Sequence, residues 1–413
     1  MNVKLLGKGN ESKMKTKYLI LGAGPAGLTF ANRLKELGEE KYIVLEKESE
    51  AGGLCRSAFV DGAPLDIGGG HFLDVRRPKI NEFLFRFMPE EEWSLFERDS
   101  RIEIDGVTIG HPFEANIWQM PQEMQIRYLK SIAVAGCNLG MPIPAKFTDW
   151  IRWKLGDLVA ENYMIPYNSK IFGKELNELG TYWLEKLPNV SFEETLLSCV
   201  NKKAYGEEPG HAQFFYPKKY GYGEIWRRMA DELKGHLIYE TEVSQIDFDK
   251  KIVTFSSNEK IEAEFIIVTV PWTEIECIGM PDALNRKRLE LKYSSVNIKY
   301  VPKNIDTKAQ WIYYPDENLS YHRILVRSNF AVGASGYWTE TNSNRDRQVD
   351  DGTFKNVYAY PLNTIDKPVI MKELLEWSAS RNVFGLGRWG EWQHYNSDTT
   401  VEKALSLVDY VAR

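Results

Sequence analysis

The strongest constraint on this chain is an apolar run that ends in a glycine turn. Residues 18–21 read Tyr-Leu-Ile-Leu, and Gly22-Ala-Gly24-Pro-Ala-Gly27 follows directly. Glu46 comes 22 residues after Gly24, at the end of a second apolar run. This order is typical of a βαβ dinucleotide-binding unit, in which a strand is followed by a G-x-G-x-x-G turn, a helix and an acid at that distance.

Each glycine of the turn has its own role in such a unit. Gly22 permits the tight turn, Gly24 lets a pyrophosphate approach backbone N–H groups, and Gly27 lets helix and strand pack closely. Glu46 would then accept hydrogen bonds from a ribose. The alternative is an ordinary βαβ crossover with a glycine-rich turn, and the matched acid argues against it.

The composition is that of a soluble globular protein. The chain has 413 residues, 43% apolar and 27% charged, which allows two or three domains. The net charge of −6 argues against a nucleic-acid partner. Because there is no run of about 18 apolar residues and no apolar signal segment, we expect no stable membrane insertion and a cytoplasmic location.

The four cysteines do not form a metal-binding pattern. Cys55, Cys137, Cys199 and Cys277 are far apart, without a C-x-x-C pair or a histidine at metal-ligand spacing. We therefore expect reduced structural thiols and no metal site.

The order of patterns predicts an α/β fold in which a discontinuous Rossmann-like domain carries two insertions. Apolar spacings of three and four predict a helical insertion, and later alternating runs predict an antiparallel sheet. The continuous run 265–270, ended by Pro271, is typical of a strand buried on both faces. The expected boundaries are a polar extension at 1–13, the nucleotide-binding domain at 14–111, 201–282 and 371–413, the helical domain at 112–200, and the antiparallel sheet domain at 283–370.

Two further glycine segments carry groups suited to a large planar ligand. Gly52-Gly-Leu-Cys-Arg56-Ser and Asp66-Ile-Gly-Gly-Gly-His71 follow the second strand. Arg56 could neutralise a pyrophosphate, or it could form a surface ion pair. His71 could meet a ring system, or it could be a hydrogen-bonded structural imidazole.

Together these motifs resemble the FAD-binding fold of the glutathione-reductase type. Within that class the chain most resembles the UDP-galactopyranose mutase family and its amine-oxidase-like relatives. The resemblance covers most of the chain. The matching segments are 69–71 (Gly-Gly-His), 167–173 (Tyr-Asn-Ser-Lys-Ile-Phe-Gly), 183–186 (Trp-Leu-Glu-Lys), 215–218 (Phe-Tyr-Pro-Lys), 321–323 (Tyr-His-Arg) and 387–390 (Gly-Arg-Trp-Gly).

The resemblance implies FAD, active in its reduced form, and a nucleotide-sugar substrate. It implies catalytic roles for His71 and Arg323, and substrate contacts by Trp183, Lys186, Arg323 and His394. The cofactor residues it implies are Gly22, Gly24, Pro25, Ala26, Gly27, Glu46, Lys47, Gly53, Leu54, Arg56, Gly69, Gly70, His71, Val243, Gly387, Arg388, Asp398 and Thr399.

The chemistry implied is pyranose/furanose interconversion through a sugar adduct on N5 of the reduced flavin, in cell-surface polysaccharide biosynthesis. The chain departs from the family where Lys186 replaces an arginine, and where His394 and Asn396 replace a tyrosine and an aspartate. Arg323 could also form only a cross-strand ion pair. An FAD-dependent oxidoreductase of the amine oxidase or desaturase type therefore stays an alternative, and homo-oligomer formation stays open.

Overall fold

The computed structural model of the protein describes residues 14–184, 190–206, 212–346 and 349–412. The expected polar extension at 1–13 and the predicted substrate residue Lys186 lie outside these described residues.

The described residues contain thirteen α-helices and twenty strands. The helices are α1 (Pro25–Glu36), α2 (Pro78–Phe85), α3 (Phe113–Asn116), α4 (Gln122–Ala133), α5 (Phe147–Leu155), α6 (Asp157–Val159), α7 (Ile165–Phe172), α8 (Phe192–Asn201), α9 (Gly223–Asp231), α10 (Asp282–Leu289), α11 (Lys367–Ala379), α12 (Gly387–Gly390) and α13 (Ser397–Val411). The strands of the first half are β1 (Met14–Leu21), β2 (Tyr42–Leu45), β3 (Ser57–Val60), β4 (Ala63–Asp66), β5 (Leu73–Asp74), β6 (Trp93–Glu97), β7 (Ser100–Ile104), β8 (Val107–Gly110), β9 (Gln213–Pro217) and β10 (Leu237–Ile238). Those of the second half are β11 (Val243–Asp247), β12 (Ile252–Phe255), β13 (Lys260–Val268), β14 (Glu276–Ile278), β15 (Tyr293–Val301), β16 (Trp311–Tyr313), β17 (Arg323–Leu325), β18 (Tyr337–Asn342), β19 (Thr353–Pro361) and β20 (Val383–Gly385).

The largest sheet is drawn from the beginning, the middle and the end of the chain. Its order is β10-β2-β1-β13-β12-β11-β14, and β20 also pairs with β13. Strands β10, β2, β1, β13 and β20 run parallel, and the apolar residues at 18–21 and 266–268 are completely buried because helices cover both faces. This confirms the predicted discontinuous Rossmann-like domain.

A second sheet has the order β19-β15-β18-β17-β16-β7-β8. Its pairs are antiparallel except β16 with β7, which is parallel. Strands β7 and β8 lie before residue 111, within the segment expected to belong to the nucleotide-binding domain. The difference arises because the pairing of β7 depends on β16, about 200 residues later, and no local pattern reports it.

The predicted helical insertion contains α3 to α8, which pack on one another around Phe113, Phe147 and Ile151. Within the described residues, no helix is long and apolar enough to span a membrane. A three-stranded sheet, β5-β9-β6, and the hairpin β3-β4 connect the large sheets. The loops at the carboxyl ends of β1, β2, β13 and β20 meet at one edge, where the candidate site lies.

Candidate cofactor and substrate site

The first glycine turn is shaped by close backbone approach. Gly22 has φ +104°, and a Cβ on it would lie 2.5 Å from Thr269 Oγ1. A Cβ on Gly27 would lie 2.0 Å from the Gly22 carbonyl oxygen, so α1 can pack on β1 only with glycine there. Gly24 has ordinary backbone angles, and its missing side chain leaves open space in front of the first turn of α1. The turn therefore has the geometry that a pyrophosphate needs.

Glu46 fixes this turn from the end of β2. The side chain is 6% exposed, and its Oε2 accepts a hydrogen bond from Ala23 N at 2.8 Å. Oε1 accepts from Glu48 N at 3.0 Å. Burial raises the pKa of Glu46 against these two hydrogen bonds. The acid thus lies beside the turn, where the sequence predicts a ribose contact.

The second glycine loop lies against the first. Gly53 has φ +53°, and a Cβ on it would lie 3.3 Å from Gly24 Cα. A Cβ on Gly68 would lie 1.9 Å from the Leu54 carbonyl oxygen, so the third glycine loop packs on the second. The three glycine loops therefore converge because glycines without side chains lie at the contact points.

The third loop is held by a buried acid from the other sheet. Gly70 N donates to Glu340 Oε1 at 3.2 Å, and a Cβ on Gly70 would lie 2.1 Å from Leu325. His71 follows, and its Nδ1 lies 2.8 Å from Gly69 O. Because a carbonyl only accepts, Nδ1 carries the proton and Nε2 presents a lone pair. Burial and then Arg388 lower the pKa of His71 to about 4, so its imidazole is neutral at pH 7.

The two predicted cationic cofactor residues have different partners. Arg56 donates through Nε to Gly53 O, and its Nη1 lies 3.4 Å from Glu48 and 3.5 Å from Glu50. The ion pair considered for Arg56 is thus present. Arg388 donates to the carbonyl oxygens of residues 395 and 359. Among the described residues no carboxylate pairs with Arg388, so its positive charge is available to an anionic ligand.

The C-terminal turn closes the site. Gly387 has φ +76°, and a Cβ on it would lie 2.7 Å from that of Ala26, which brings the turn onto the start of α1. Asp398 is 2% exposed and pairs with Arg77 Nε at 2.6 Å. Thr399 is half-buried next to it.

These loops enclose a cleft of about 380 Å³. The predicted cofactor residues that line it are Gly22, Gly24, Pro25, Ala26, Glu46, Lys47, Gly53, Leu54, Arg56, His71, Val243 and Arg388. The predicted residues outside its lining are Gly27, Gly69, Gly70, Gly387, Asp398 and Thr399. The four glycines act through loop packing, and Ser397 and Thr400 take the wall positions predicted for Asp398 and Thr399.

Sequence reasoning missed part of this wall. Residues 269–271 line it because they follow the carboxyl end of the central strand β13, a position that the strand pattern could have indicated. Residues 355–358 also line it, but they belong to β19 of the second sheet. No local signal places them there.

Arg323 lies beside the third glycine loop. Its Nε donates to Glu340 Oε2 at 2.6 Å, and its Nη2 donates to the Tyr360 hydroxyl at 3.2 Å. Arg323 and Glu340 are directly opposite on β17 and β18, so the cross-strand ion pair considered for Arg323 is present. His394 is exposed, and its ring contacts that of Tyr360 at a tilt of 41°, with ring centroids 5.0 Å apart. Glu340 and Tyr360 were missed because neither belongs to a recognisable motif.

Aromatic rings continue from Arg323 into the helical insertion. Tyr167 of α7 contacts Tyr313 and His322 edge-on, at 5.5 and 6.0 Å. Trp183 stacks on Phe147 at 5.6 Å. The ring of Trp183, which the resemblance implies to contact substrate, thus packs within the helical insertion.

A flavin dinucleotide fits the chemistry of this cleft. The bare glycine turn at the start of α1 suits a pyrophosphate, and Arg388 supplies a half-buried cation that no carboxylate of the described residues pairs with. Neutral His71 suits a ring system. Within the described ranges, no group of three His, Cys, Asp or Glu side chains could hold a metal ion.

Comparisons with known proteins agree with this site. Residues 20–87 match the model of the NAD(P)-binding Rossmann-like domain, and residues 109–301 match that of flavin containing amine oxidoreductase. A coproporphyrinogen III oxidase of Mycobacterium bovis is 36% identical over 69 residues, 16% of this chain. That alignment spans 15% of the curated relative's length. These matches indicate a flavin-dependent enzyme.

Two solved structures share the fold over nearly the whole chain. Reduced UDP-galactopyranose mutase aligns with a TM-score of 0.87 and 23% identity, covering 96% of this chain and 94% of that one. Putrescine oxidase bound to putrescine aligns with a TM-score of 0.62 and 14% identity, covering 97% and 100%. The chain therefore resembles UDP-galactopyranose mutase in fold and has the features of an amine-oxidase-like flavoprotein.

Proposed function

We propose that this protein is an FAD-dependent enzyme of the UDP-galactopyranose mutase type, which interconverts the pyranose and furanose rings of a nucleotide sugar. The observation that carries the proposal is the position of Arg323. Its guanidinium lies next to the loop that ends in His71, and His71 lines the cofactor cleft. A diphosphate bound by Arg323 would place the attached sugar beside the cofactor.

The protein's part in such a reaction is binding and orientation. Reduced FAD, when bound, supplies the nucleophile. Glu340 and Tyr360 hold Arg323 through Nε and Nη2. Among the described residues Nη1 makes no hydrogen bond, so it can donate to a phosphate oxygen. Preorganisation of this kind lowers the entropic cost of placing the substrate.

His71 contributes a neutral hydrogen-bond acceptor. With Nδ1–H bound to Gly69 O, the lone pair on Nε2 is free to accept a proton or hydrogen bond from a ligand. The rings of His394 and Tyr360 contact each other next to Arg323 and would contact the sugar or its diphosphate. Substrate contacts by Trp183 and Lys186 stay predictions, as do the cytoplasmic location and an oligomeric state.

The test uses purified protein with its flavin content known from absorbance. The dithionite-reduced protein is incubated with UDP-galactofuranose, and the sugar nucleotides are separated by chromatography. We expect UDP-galactopyranose from the reduced protein and none from the oxidised protein. Absence of product from a reduced, flavin-loaded sample would refute the galactose assignment, and flavin absorbance changes with GDP- and dTDP-sugars would then identify another nucleotide.

The second candidate is an FAD-dependent oxidoreductase that takes hydride from an amine or a saturated carbon. The match of residues 109–301 to the amine oxidoreductase model favours it. This candidate requires turnover from oxidised flavin with consumption of oxygen or another acceptor. An oxygen electrode with a panel of primary amines distinguishes it from the mutase, which consumes no oxidant.

A further inference from the structure

Asp66 is completely buried at the end of β4, where four donors surround its carboxylate. Ser57 Oγ donates to Oδ1 at 2.6 Å, and Tyr222 N donates to the same oxygen at 3.2 Å. The Tyr216 hydroxyl donates to Oδ2 at 3.1 Å. The backbone N–H of His71 is the fourth donor. One side chain therefore connects β3, β9, the start of α9 and the third glycine loop.

Every one of these donors is neutral. Within the described part of the chain, no lysine, arginine or histidine side chain forms an ion pair with Asp66. A buried carboxylate without a cation is costly unless its hydrogen bonds are complete, and a neutral Asn would fill the same volume. The negative charge at this position therefore calls for a functional reason.

The network of Asp66 reaches the cofactor cleft on two sides. His71, whose backbone it holds, lines the cleft and lies parallel to the Tyr222 ring with centroids 6.1 Å apart. The Tyr222 hydroxyl and Ser397 Oγ are 2.6 Å apart, and Ser397 also lines the cleft. A shift of Asp66 would thus move both walls.

We infer that Asp66 is a positioning residue of the cofactor cleft, which holds His71 and Tyr222 in place and puts one negative charge behind the wall they form. This inference rests on the proposed FAD site. A fixed negative charge opposes the addition of electrons to a nearby flavin, so Asp66 keeps the midpoint potential of the bound cofactor low.

The other ionisable groups around Asp66 do not change charge near neutral pH. Burial raises the pKa values of Tyr216 and Tyr222 far above 10 and that of Cys55 to about 12. His71 has a pKa of about 4. The nearby cations are Arg388, beside Cys55 and His71, and Arg327, beside Tyr216.

Asp66 is the exception in this group. Burial raises its pKa to about 7, against the hydrogen bonds from Ser57, Tyr222 and Tyr216. Its negative charge is therefore largely present at pH 8 and largely absent at pH 6. The effect of Asp66 on the midpoint potential of the bound cofactor should therefore change over the same pH range.

The test compares the FAD-loaded wild type with Asp66→Asn, which keeps the shape and removes the charge. Asp74→Asn is the matched control, since Asp74 is also buried, on the next strand along the chain, β5, and pairs with Arg76 away from the cleft. FAD affinity, visible circular dichroism and midpoint potential are measured at pH 8 and pH 6. Tyr216→Phe, which removes one donor and keeps the ring, is a second variant in case Asp66→Asn does not fold.

At pH 8 we expect Asp66→Asn to bind FAD at least about tenfold more weakly, with changed visible dichroism and a more positive potential. The potential difference from wild type should shrink at pH 6, and Asp74→Asn should match wild type throughout. Tyr216→Phe should shift the change in midpoint potential to higher pH, because the Asp66 carboxylate loses a hydrogen-bond donor that stabilises its charged form.

The inference would be overturned if Asp66→Asn had the FAD affinity, visible dichroism and midpoint potential of the wild type. It would also be overturned if Asp74→Asn changed these quantities as much as Asp66→Asn does. A wild-type protein that cannot bind FAD would instead refute the proposed function.

Discussion

The Arg323 guanidinium donates to Glu340 Oε2 at 2.6 Å across neighbouring strands, and Glu340 has no exposed surface. Burial alone would raise the pKa of Glu340, but Arg323 and His322 together outweigh burial and bring the pKa to about 2. Glu340 also accepts from Gly70 N, so one carboxylate holds both the predicted diphosphate-binding arginine and a loop of the cofactor site. The geometry of the two sites is therefore coupled.

Glu340→Gln should destabilise the protein by about 3 kcal/mol, because Arg323 loses its buried counter-ion. Urea unfolding followed by far-UV circular dichroism measures the change. The control is Glu178→Gln, which removes a half-exposed pair with Lys292 and should cost less than about 1 kcal/mol. Equal losses in the two variants would contradict a special role for the buried pair.

Gly24→Ala should separate cofactor binding from folding. The added methyl group meets only Gly53 Cα at 3.9 Å, so the melting temperature should change by a few degrees at most. The same methyl group enters the space in front of α1, and we expect FAD affinity to fall at least about tenfold. Gly27→Ala should instead destabilise the fold itself by several kcal/mol, since its methyl group meets the Gly22 carbonyl oxygen at 2.0 Å. Wild-type FAD affinity in Gly24→Ala would exclude a pyrophosphate at this turn.

Asp66 should make the stability of the protein fall as pH rises. Its pKa in the folded state is about 7, above the ordinary value of 3.8, so between these values the folded state keeps a proton that the unfolded state has lost. The free energy of unfolding should decline over this window by at most about 1.4 kcal/mol per pH unit from this group. Asp66→Asn should remove that decline. Urea melts of both proteins at pH 4.5, 5.5, 6.5 and 7.5 test it, and parallel pH profiles would disprove it.

Arg323→Lys should reduce turnover of the nucleotide sugar by roughly 10- to 100-fold while flavin content stays unchanged. Lysine keeps the charge but loses the planar fork that can hold Glu340, Tyr360 and a phosphate together. Initial rates with reduced protein, normalised to flavin absorbance, provide the measurement. Arg33→Lys, on the exposed surface of α1, is the control and should keep the wild-type rate. Full activity in Arg323→Lys would contradict the proposal that Arg323 binds the substrate.

The glycine turn, Glu46 and the individual buried strands could be predicted from the sequence, because each depends on neighbours within about 30 residues. A tight turn needs glycine at Gly22, and a doubly buried strand needs a continuous apolar run such as 265–268. Of the 18 cofactor residues that the family resemblance implied, 12 line the cleft.

Other parts depend on segments that local patterns cannot relate. The parallel pairing of β7 with β16 moved β7 and β8 into the second sheet. Ser397 and Thr400 line the cleft in place of Asp398, which pairs with Arg77, because the rotation of α13 is set by its packing.

The sequence by itself determined that a dinucleotide turn lies at the head of the chain, since glycine geometry and strand periodicity are local properties. Only the tertiary structure decided which buried acids hold the loops around this turn in place. Glu340 reaches Gly70 across 270 residues, and Asp66 meets Tyr216 across 150. Hydrogen bonds over such separations form only when the whole fold brings their partners together. These hydrogen bonds hold the loops around the cleft in position and place the two carboxylates beside them.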